Sequence, residues 1–131
     1  MIKWIDFEDK GDSRGGLVAV EANREIPFAI ERVYYIFKTI AGFRRGYHAH
    51  KKLKQVIIPV SGSCKFLLDD GKKREEILLD SPHKGLYIEG LVWREMFDFS
   101  DDCVLVVFAD MYYDEEDYIR DYQQFRDEVD K

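Results

Sequence analysis

Cysteine and long apolar runs are both scarce in this chain of 131 residues. The only two cysteines, Cys64 and Cys103, each lie in an apolar, strand-like run, which favours buried reduced thiols over a disulfide scaffold or a zinc knuckle. No stretch is long and uncharged enough to span a bilayer, and the acid-containing first residues do not form a signal peptide. We therefore expect a cytoplasmic protein.

Positive charge is also in deficit, because the formal net charge is −6. This balance argues against a general attraction to nucleic acids or to membranes. One segment differs, since five basic residues occur in it without an acid: Arg44, Arg45, Lys51, Lys52 and Lys54. The pattern predicts a local site for an anion.

Length and composition predict one domain over residues 1–131, because 46% hydrophobic residues are enough for a core. Short β-rich runs separated by Gly, Asp, Asn, Ser or Pro predict an all-β fold, a small barrel or sandwich. These runs are 16–21, 32–37, 55–60, 63–69, 74–80, 85–90 and 103–109. We expect further strand structure within residues 1–30, including the run 2–7.

Three local patterns refine this expectation. The sequence 69–72, Asp-Asp-Gly-Lys, predicts a tight hairpin. Pro59 lies inside a good strand pattern, so that strand is either at a sheet edge or bulged. Aromatic residues at helical spacing predict a C-terminal helix over 114–128 with Asp114 as N-cap, packed on its own barrel or on a second subunit.

Two histidines form the most specific feature of the sequence. In a β-strand, residues i and i+2 point to the same face, so His48 and His50 can share one pocket. The surrounding frame is Gly42, five residues, His48, one residue, His50, four residues, Gln55, six residues and Gly62. It resembles the first motif of the cupin superfamily, in which glutamate normally stands at the position of Gln55.

The run 85–98 is the natural counterpart of the second cupin motif, and in it Arg94 takes the place of the metal-binding histidine. A guanidinium cannot ligate a metal ion, and a bare pair of histidines makes a poor selective metal site. We therefore expect no metal and no other cofactor. Histidines titrate near neutral pH, so acid–base chemistry is the function that remains for the pair.

Several longer segments carry a closer resemblance, which covers nearly the whole chain. The segments "RRGYHAHKKLKQ", "VSGSCKFLLDDG", "LLDSPHKGLYI", "VWREMFDFSDDCVLVV" and "YYDEEDYIRDY" are similar to those of sugar 3,4-ketoisomerases that act on dTDP-linked 4-keto-6-deoxyglucose. The resemblance implies a small, jelly-roll-like cupin barrel, an isomerase without metal, and a homodimer that exchanges N-terminal strands. Its products would feed bacterial surface sugars, as in lipopolysaccharide O-antigens and S-layers.

The resemblance also implies roles for individual residues. It places the family's histidine pair at His48 and His50 and its conserved arginine at Arg45. The chain departs from the family pattern at Arg94, where histidine is usual, and at Glu89, where proline is usual. Those two departures bear on how the substrate fits, but they leave the histidine pair untouched.

The residues themselves suggest a division of work. We assign the proton shuttle to His50, with His48 orienting it or exchanging protons with the substrate oxygens. Tyr35 is the candidate donor to the developing oxyanion, although Tyr34 on the opposite side of the strand is an alternative.

The substrate-binding candidates follow from charge and aromatic character. Arg45 and Arg44 could clamp the diphosphate, with one of them only a solvated charge. Trp93 could stack on a sugar or base or could belong to the core, and Arg94 lies next to it in the same candidate set. His83 is interpreted as a surface turn residue.

Three alternatives remain at this point. A cupin could bind a nucleotide sugar without altering it. A metal-dependent cupin could recruit Gln55 with Glu89 or Glu95. A 3,5-epimerase would begin with the same proton abstraction beside the C4 ketone, so only its product would distinguish it.

Overall fold

The computed structural model describes all residues, 1–131, and its strands form two antiparallel sheets of five strands each. The strands are β1 (Lys3–Asp6), β2 (Arg32–Ile36), β3 (Arg45–His50), β4 (Gln55–Ser61), β5 (Cys64–Asp69), β6 (Arg74–Leu79), β7 (Lys84–Ile88), β8 (Trp93–Phe97), β9 (Val104–Ala109) and β10 (Tyr118–Ile119). One sheet has the order β1-β7-β4-β9-β2 and the other the order β10-β3-β8-β5-β6. With one short helix, α1 (Tyr122–Val129), the predicted all-β class is confirmed.

The main core lies between the two sheets. Alternate residues of β4, β5, β7 and β9 point inward and form one apolar cluster. Phe66 and Leu68 from one sheet are fully buried in it with Leu86 and Leu105 from the other. Both cysteines belong to this cluster as free, buried thiols, as their apolar surroundings predict.

Two local predictions are confirmed. The hairpin at Asp69–Arg74 joins β5 to β6, and Gly71 adopts the positive φ of 93° that the turn requires. β4 lies between β7 and β9, but its pairing with β7 ends at Ile57, so at Pro59 the strand pairs with β9 alone. The register between β4 and β9 also shifts between Pro59 and Ser61, so the strand is bulged next to the proline.

The N-terminal segment differs from its prediction. The run 16–21 is not a strand, and only isolated bridges such as Asp12–Gly15 interrupt the irregular backbone that follows β1. This segment instead lays apolar side chains on the outer face of the first sheet, where Ile26 and Phe28 pack against Val56. Burial is thus achieved without strand pairing. β1 pairs with β7 of the same chain, and the exchange of N-terminal strands stays a prediction.

The C-terminal helix begins later than predicted. Asp114 does cap a helix, but only a 3₁₀ turn over Glu115–Asp117, and the strand β10 follows it. A second cap, Asp121, then starts α1 at Tyr122 by accepting the amide of Gln123. The acidic residues of the tail suggest the first turn of one continuous helix. The tail instead contains two N-caps, Asp114 and Asp121, with the strand β10 between them. No helix in the structure has the length and apolar character needed to cross a membrane.

Candidate active site

The histidine pair lies at the end of β3 next to a bulge. Gly46 and Tyr47 both have positive φ, and the register with β8 shifts between Gly46 and His48. A side chain at Gly46 would place its Cβ only 2.8 Å from the carbonyl oxygen of Arg94, so glycine is required there. The rings of His48 and His50 meet edge to face with centroids 4.9 Å apart. As the i, i+2 spacing predicts, they share one face.

The cavity beside this pair has a volume of about 440 Å³ and opens between β2 and β3. His48 lines it, together with residues of β2, β3, β8 and the tail that include Arg32, Tyr34, Arg45 and Tyr118. His50 is only 2% exposed and does not line it. A larger cavity, about 490 Å³, lies beside Lys52 and Lys54 but contains no histidine.

His48 is therefore the imidazole that can reach a bound molecule. A general base must come within hydrogen-bonding distance of the proton it removes. The Nδ1 atom of His48 lies 3.1 Å from the carbonyl oxygen of Gly46, which can only accept, so this nitrogen carries the proton and Nε2 is left free to act as a base. His48 therefore lines the cavity with His50 behind it, and the expected assignment of the proton shuttle to His50 stays a prediction.

His50 contacts a carboxylate that the sequence interpretation missed. Its Nδ1 atom lies 3.0 Å from Oδ2 of Asp117, which is also buried. Next to it, Tyr118 pairs with His50 across β10 and β3, and its ring lies 4.3 Å from the His50 ring and 5.1 Å from that of His48. Both partners come from the tail, so no local pattern around the histidines could have revealed them.

Arg94 and Gln55, at the two altered cupin positions, are bonded to each other. The buried guanidinium of Arg94 donates to Oε1 of Gln55 and, from Nη2 at 2.8 Å, to the carbonyl oxygen of Val92. Arg94 lines only a small internal void of about 20 Å³ and not the cavity beside the histidines, so its direct binding of substrate stays a prediction without support from this geometry. Its charge lies inside the protein rather than at the cavity wall.

The residues that a metal site would need are engaged elsewhere. Glu89 is paired with Lys3 and Tyr87, and Glu95 with Arg44 and Trp93. No group of three or more His, Cys, Asp or Glu side chains is arranged so that it could hold a metal ion. The donor set therefore does not fit a cupin metal centre.

The charge of Arg94 acts on both histidines. Burial first, and then the Arg94 guanidinium, lowers the pKa of His48 from 6.5 to about 4. The same two causes, burial first and then the Arg94 guanidinium, lower the pKa of His50. Both imidazoles are therefore neutral near pH 7, and a neutral imidazole is what a proton acceptor must be.

The tyrosine that faces inward is Tyr34, not the preferred candidate Tyr35. Tyr35 is 64% exposed at the rim of the cavity, whereas the hydroxyl oxygen of Tyr34 accepts a hydrogen bond of 3.1 Å from Nε2 of Gln55. Burial raises the pKa of Tyr34, so its hydroxyl keeps its proton. Because the Gln55 amide already donates to this oxygen, the hydroxyl proton is available to another acceptor.

The two arginines before the histidines have different surroundings. Nε of Arg44 donates to Glu95 at 2.9 Å, and its guanidinium lies 3.9 Å from the ring centroid of Phe97. Arg45 lines the cavity and forms no ion pair. Arg44 is therefore held by its neighbours, and Arg45 is the one free to bind an anion.

Trp93 does not line the cavity, so its stacking on substrate stays a prediction and the geometry favours the core alternative. It is only 3% exposed and packs under α1, with its ring 5.3 Å from Tyr122 and 5.9 Å from Phe125. Position explains the difference, because alternate residues of a strand face opposite ways. Arg94 points inward, so Trp93 on the same strand faces the helix.

Comparison with known proteins agrees with this geometry. The family described as FdtA: WxcM-like, C-terminal, matches residues 1–130. The chain belongs to this family. A curated relative from Aneurinibacillus thermoaerophilus, TDP-4-oxo-6-deoxy-alpha-D-glucose-3,4-oxoisomerase, is 57% identical over 124 residues, which cover 95% of this chain and 89% of the relative.

Solved structures of 3,4-ketoisomerases resemble this family member over nearly its whole length. A 3,4-ketoisomerase from Helicobacter canadensis has a TM-score of 0.96 at 46% identity, covering 99% of this chain and 98% of its own. The 3,4-ketoisomerase QdtA from Thermoanaerobacterium thermosaccharolyticum, in complex with TDP, has a TM-score of 0.96 at 50% identity, with coverages of 98% and 94%. A histidine-to-asparagine variant of QdtA was crystallised with TDP-4-keto-6-deoxyglucose and has a TM-score of 0.95 at 49% identity, with coverages of 98% and 93%.

Proposed function

We propose that this protein is a 3,4-ketoisomerase that acts on TDP-4-keto-6-deoxyglucose and forms the 3-keto isomer. The observation that carries the proposal is that His48, whose Nδ1 is engaged by the carbonyl oxygen of Gly46, lines a cavity that Arg45, an arginine without an ion pair, also lines. A relative at 57% identity is named for this reaction, and a complex of QdtA holds this sugar nucleotide. The proposal includes a role in deoxysugar biosynthesis and a cytoplasmic location.

The reaction moves two hydrogens between neighbouring atoms. His48 takes the proton from C3, beside the C4 ketone, and leaves an enediolate whose charge is shared by the oxygens at C3 and C4. The same imidazole then returns the proton to C4, while the hydroxyl hydrogen passes from O3 to O4, and the carbonyl is now at C3. C3 and C4 are adjacent, so one imidazole on one face of the ring serves both steps with a small displacement.

The enediolate needs a hydrogen-bond donor that is already in place before the reaction. Tyr34 fits this role better than Tyr35, because its hydroxyl is fixed by Gln55 and its proton is not committed. Gln55 is fixed in turn by the buried Arg94. Hydrogen bonds from Arg94 to Gln55 and from Gln55 to Tyr34 therefore link a buried positive charge to the cavity in which negative charge develops during the reaction.

Arg45 and Arg44 offer a direct test of nucleotide binding. Arg45→Ala is expected to weaken TDP binding by about 1.5–3 kcal/mol, the usual size of a hydrogen bond to a charged group. Isothermal titration with TDP measures this loss. Arg44→Ala is the matched control, since Arg44 is occupied by Glu95 and Phe97, and it should leave TDP affinity nearly unchanged. Equal losses in the two variants would contradict this assignment.

Product identity is the experiment that tests the proposed activity. The protein is incubated with TDP-4-keto-6-deoxyglucose in deuterated water and the sugar is followed by NMR. A 3-keto product is expected, with deuterium at C4 in the fraction of turnovers in which the imidazolium proton exchanges with solvent before it is returned. Unchanged, unlabelled sugar would identify a binding protein, and label at C5 with the ketone still at C4 would identify an epimerase. Elemental analysis and chelation belong to the same experiment: one equivalent of metal with activity lost on chelation would overturn the metal-free reaction.

The proposal extends to a homodimer with exchanged N-terminal strands. β1 is an edge strand, and residues 16–21 alternate as a strand would without pairing in the single chain. The outward side chains of β2, Val33 and Tyr35, are more than half exposed although they are apolar or aromatic. A second copy would cover such a surface, and sedimentation of the protein should give the mass of two chains.

A further inference from the structure

Asp117 is a buried carboxylate for which the proposed reaction has no direct use. It lies at the end of the 3₁₀ turn, is 6% exposed, and reaches the turn between β3 and β4. Its Oδ1 atom accepts the backbone amide of Lys52 at 2.7 Å, and its Oδ2 atom accepts the amide of Leu53 at 3.3 Å as well as Nδ1 of His50. Three donors therefore converge on one carboxylate.

This arrangement fixes which nitrogen of His50 carries its proton. A carboxylate held by two backbone amides can only accept a hydrogen bond from its third neighbour. Nδ1 of His50 must therefore be protonated, and Nε2 must be the basic nitrogen. We infer that Asp117 is the positioning residue of the active site, holding His50 in this tautomer and, through it, the orientation of His48; the inference rests on the proposed function.

The contact between the two rings carries the effect to His48. His48 touches His50 edge to face, and Tyr118, the residue after Asp117, packs against both rings. Asp117 and Tyr118 are adjacent in the chain, so one short segment sets the tautomer of His50 and confines the ring of His48. Asp117 does not line the cavity beside the histidine pair; it lines a separate depression next to Lys51 and Lys52.

Charge supports the same role. Arg94 is the register partner of His48 on β8 and places a positive charge near the pair. When His48 takes a proton, it becomes a second cation close to that guanidinium. The negative charge of Asp117, in contact with His50, opposes this repulsion and eases the transient protonation of His48.

Asp117→Asn is the decisive substitution because the asparagine amide has one acceptor and one donor end. If its oxygen accepts the amide of Lys52, its NH₂ group faces Nδ1 of His50 and forces the proton onto Nε2. We expect turnover to fall about 100-fold or more, the size of an acid–base contribution, with TDP affinity within about threefold of wild type. NMR of ¹⁵N-labelled histidine should show His50 with Nδ1–H in the wild type and Nε2–H in the variant.

Asp110→Asn provides the matched control. Asp110 accepts the amide of Lys54 in the same turn at 2.9 Å but touches no histidine, so turnover and tautomers should stay as in wild type. If the two variants lose turnover equally, Asp117 acts only by holding the turn.

The tautomer of the wild-type protein decides the inference even if Asp117→Asn does not fold. Wild-type His50 with its proton on Nε2 would overturn it, as would a folded Asp117→Asn variant with a shifted tautomer and full turnover. The proposed function fails separately, through a wild-type protein that forms no 3-keto sugar. The tautomer can be read in either case.

Discussion

His48→Asn is expected to abolish ketoisomerisation and to leave the protein able to bind TDP. Asparagine can keep the hydrogen bond to the Gly46 carbonyl, because its amide nitrogen can take the place of Nδ1, but it has no basic atom where Nε2 lies. The loss should reach about 10²–10⁴ in kcat, the range of general acid–base catalysis. NMR product analysis measures turnover, and titration with TDP measures binding.

His50→Asn is the matched comparison for His48→Asn. If His48 is the shuttle, His48→Asn should also abolish exchange of deuterium into the sugar at C3, since no other base lines the cavity at that point. His50→Asn should lower turnover while leaving slow exchange measurable. A His48→Asn protein that still exchanges C3 with solvent, beside an inert His50→Asn protein, would return the shuttle to His50.

The sequence predicts the central pair because the information is local. Two histidines separated by one residue on a strand must project together, and the pattern of glycines around them locates both ends of the strand pair. The hairpin at Gly71 and the bulge at Pro59 are predictable for the same reason. Each depends on the backbone preferences of one or two residues.

Other features of the site depend on where distant segments meet. Asp117 and Tyr118 lie nearly 70 residues after the histidines, and their acidic and aromatic neighbours resemble a continuous helix. The choice between Tyr34 and Tyr35 depends on which face of β2 is inward, and that is set by pairing with β9. Trp93 is similar, because only the position of α1 shows that it faces away from the cavity.

Which of the two histidines lines the cavity is not predictable from the local pattern. Spacing alone makes His48 and His50 equivalent, and nothing in the local pattern distinguishes a ring that lines a cavity from one that lies beneath it. The distinction comes from β10, which covers His50 through Tyr118 and leaves His48 open. A two-residue strand in the tail therefore determines which of the two histidines lines the cavity.

The Arg94 side chain stands where a cupin would use a metal-binding histidine, and it supplies a fixed positive charge there instead. Arg94→Gln should raise the pKa of His48 from about 4 towards its ordinary value, since one of the two main causes of the shift is removed while burial remains. His48 must be unprotonated to act as a base. The wild type should therefore keep its activity down to about pH 5, whereas the variant should lose activity at a higher pH.

The pH dependence of kcat/KM measures this shift, because its acid limb reports the pKa of the base in the free enzyme. The pH dependence of the free energy of unfolding should change in the corresponding direction. His48 has a lower pKa in the folded state, so the unfolded wild-type chain binds more protons between pH 6.5 and 4. The stability of the wild type therefore falls as the pH is lowered through that window. Arg94→Gln should reduce this fall. Arg44→Gln is the control, since Arg44 lies outside the pair. Identical acid limbs in wild type and Arg94→Gln would show that burial alone keeps His48 neutral.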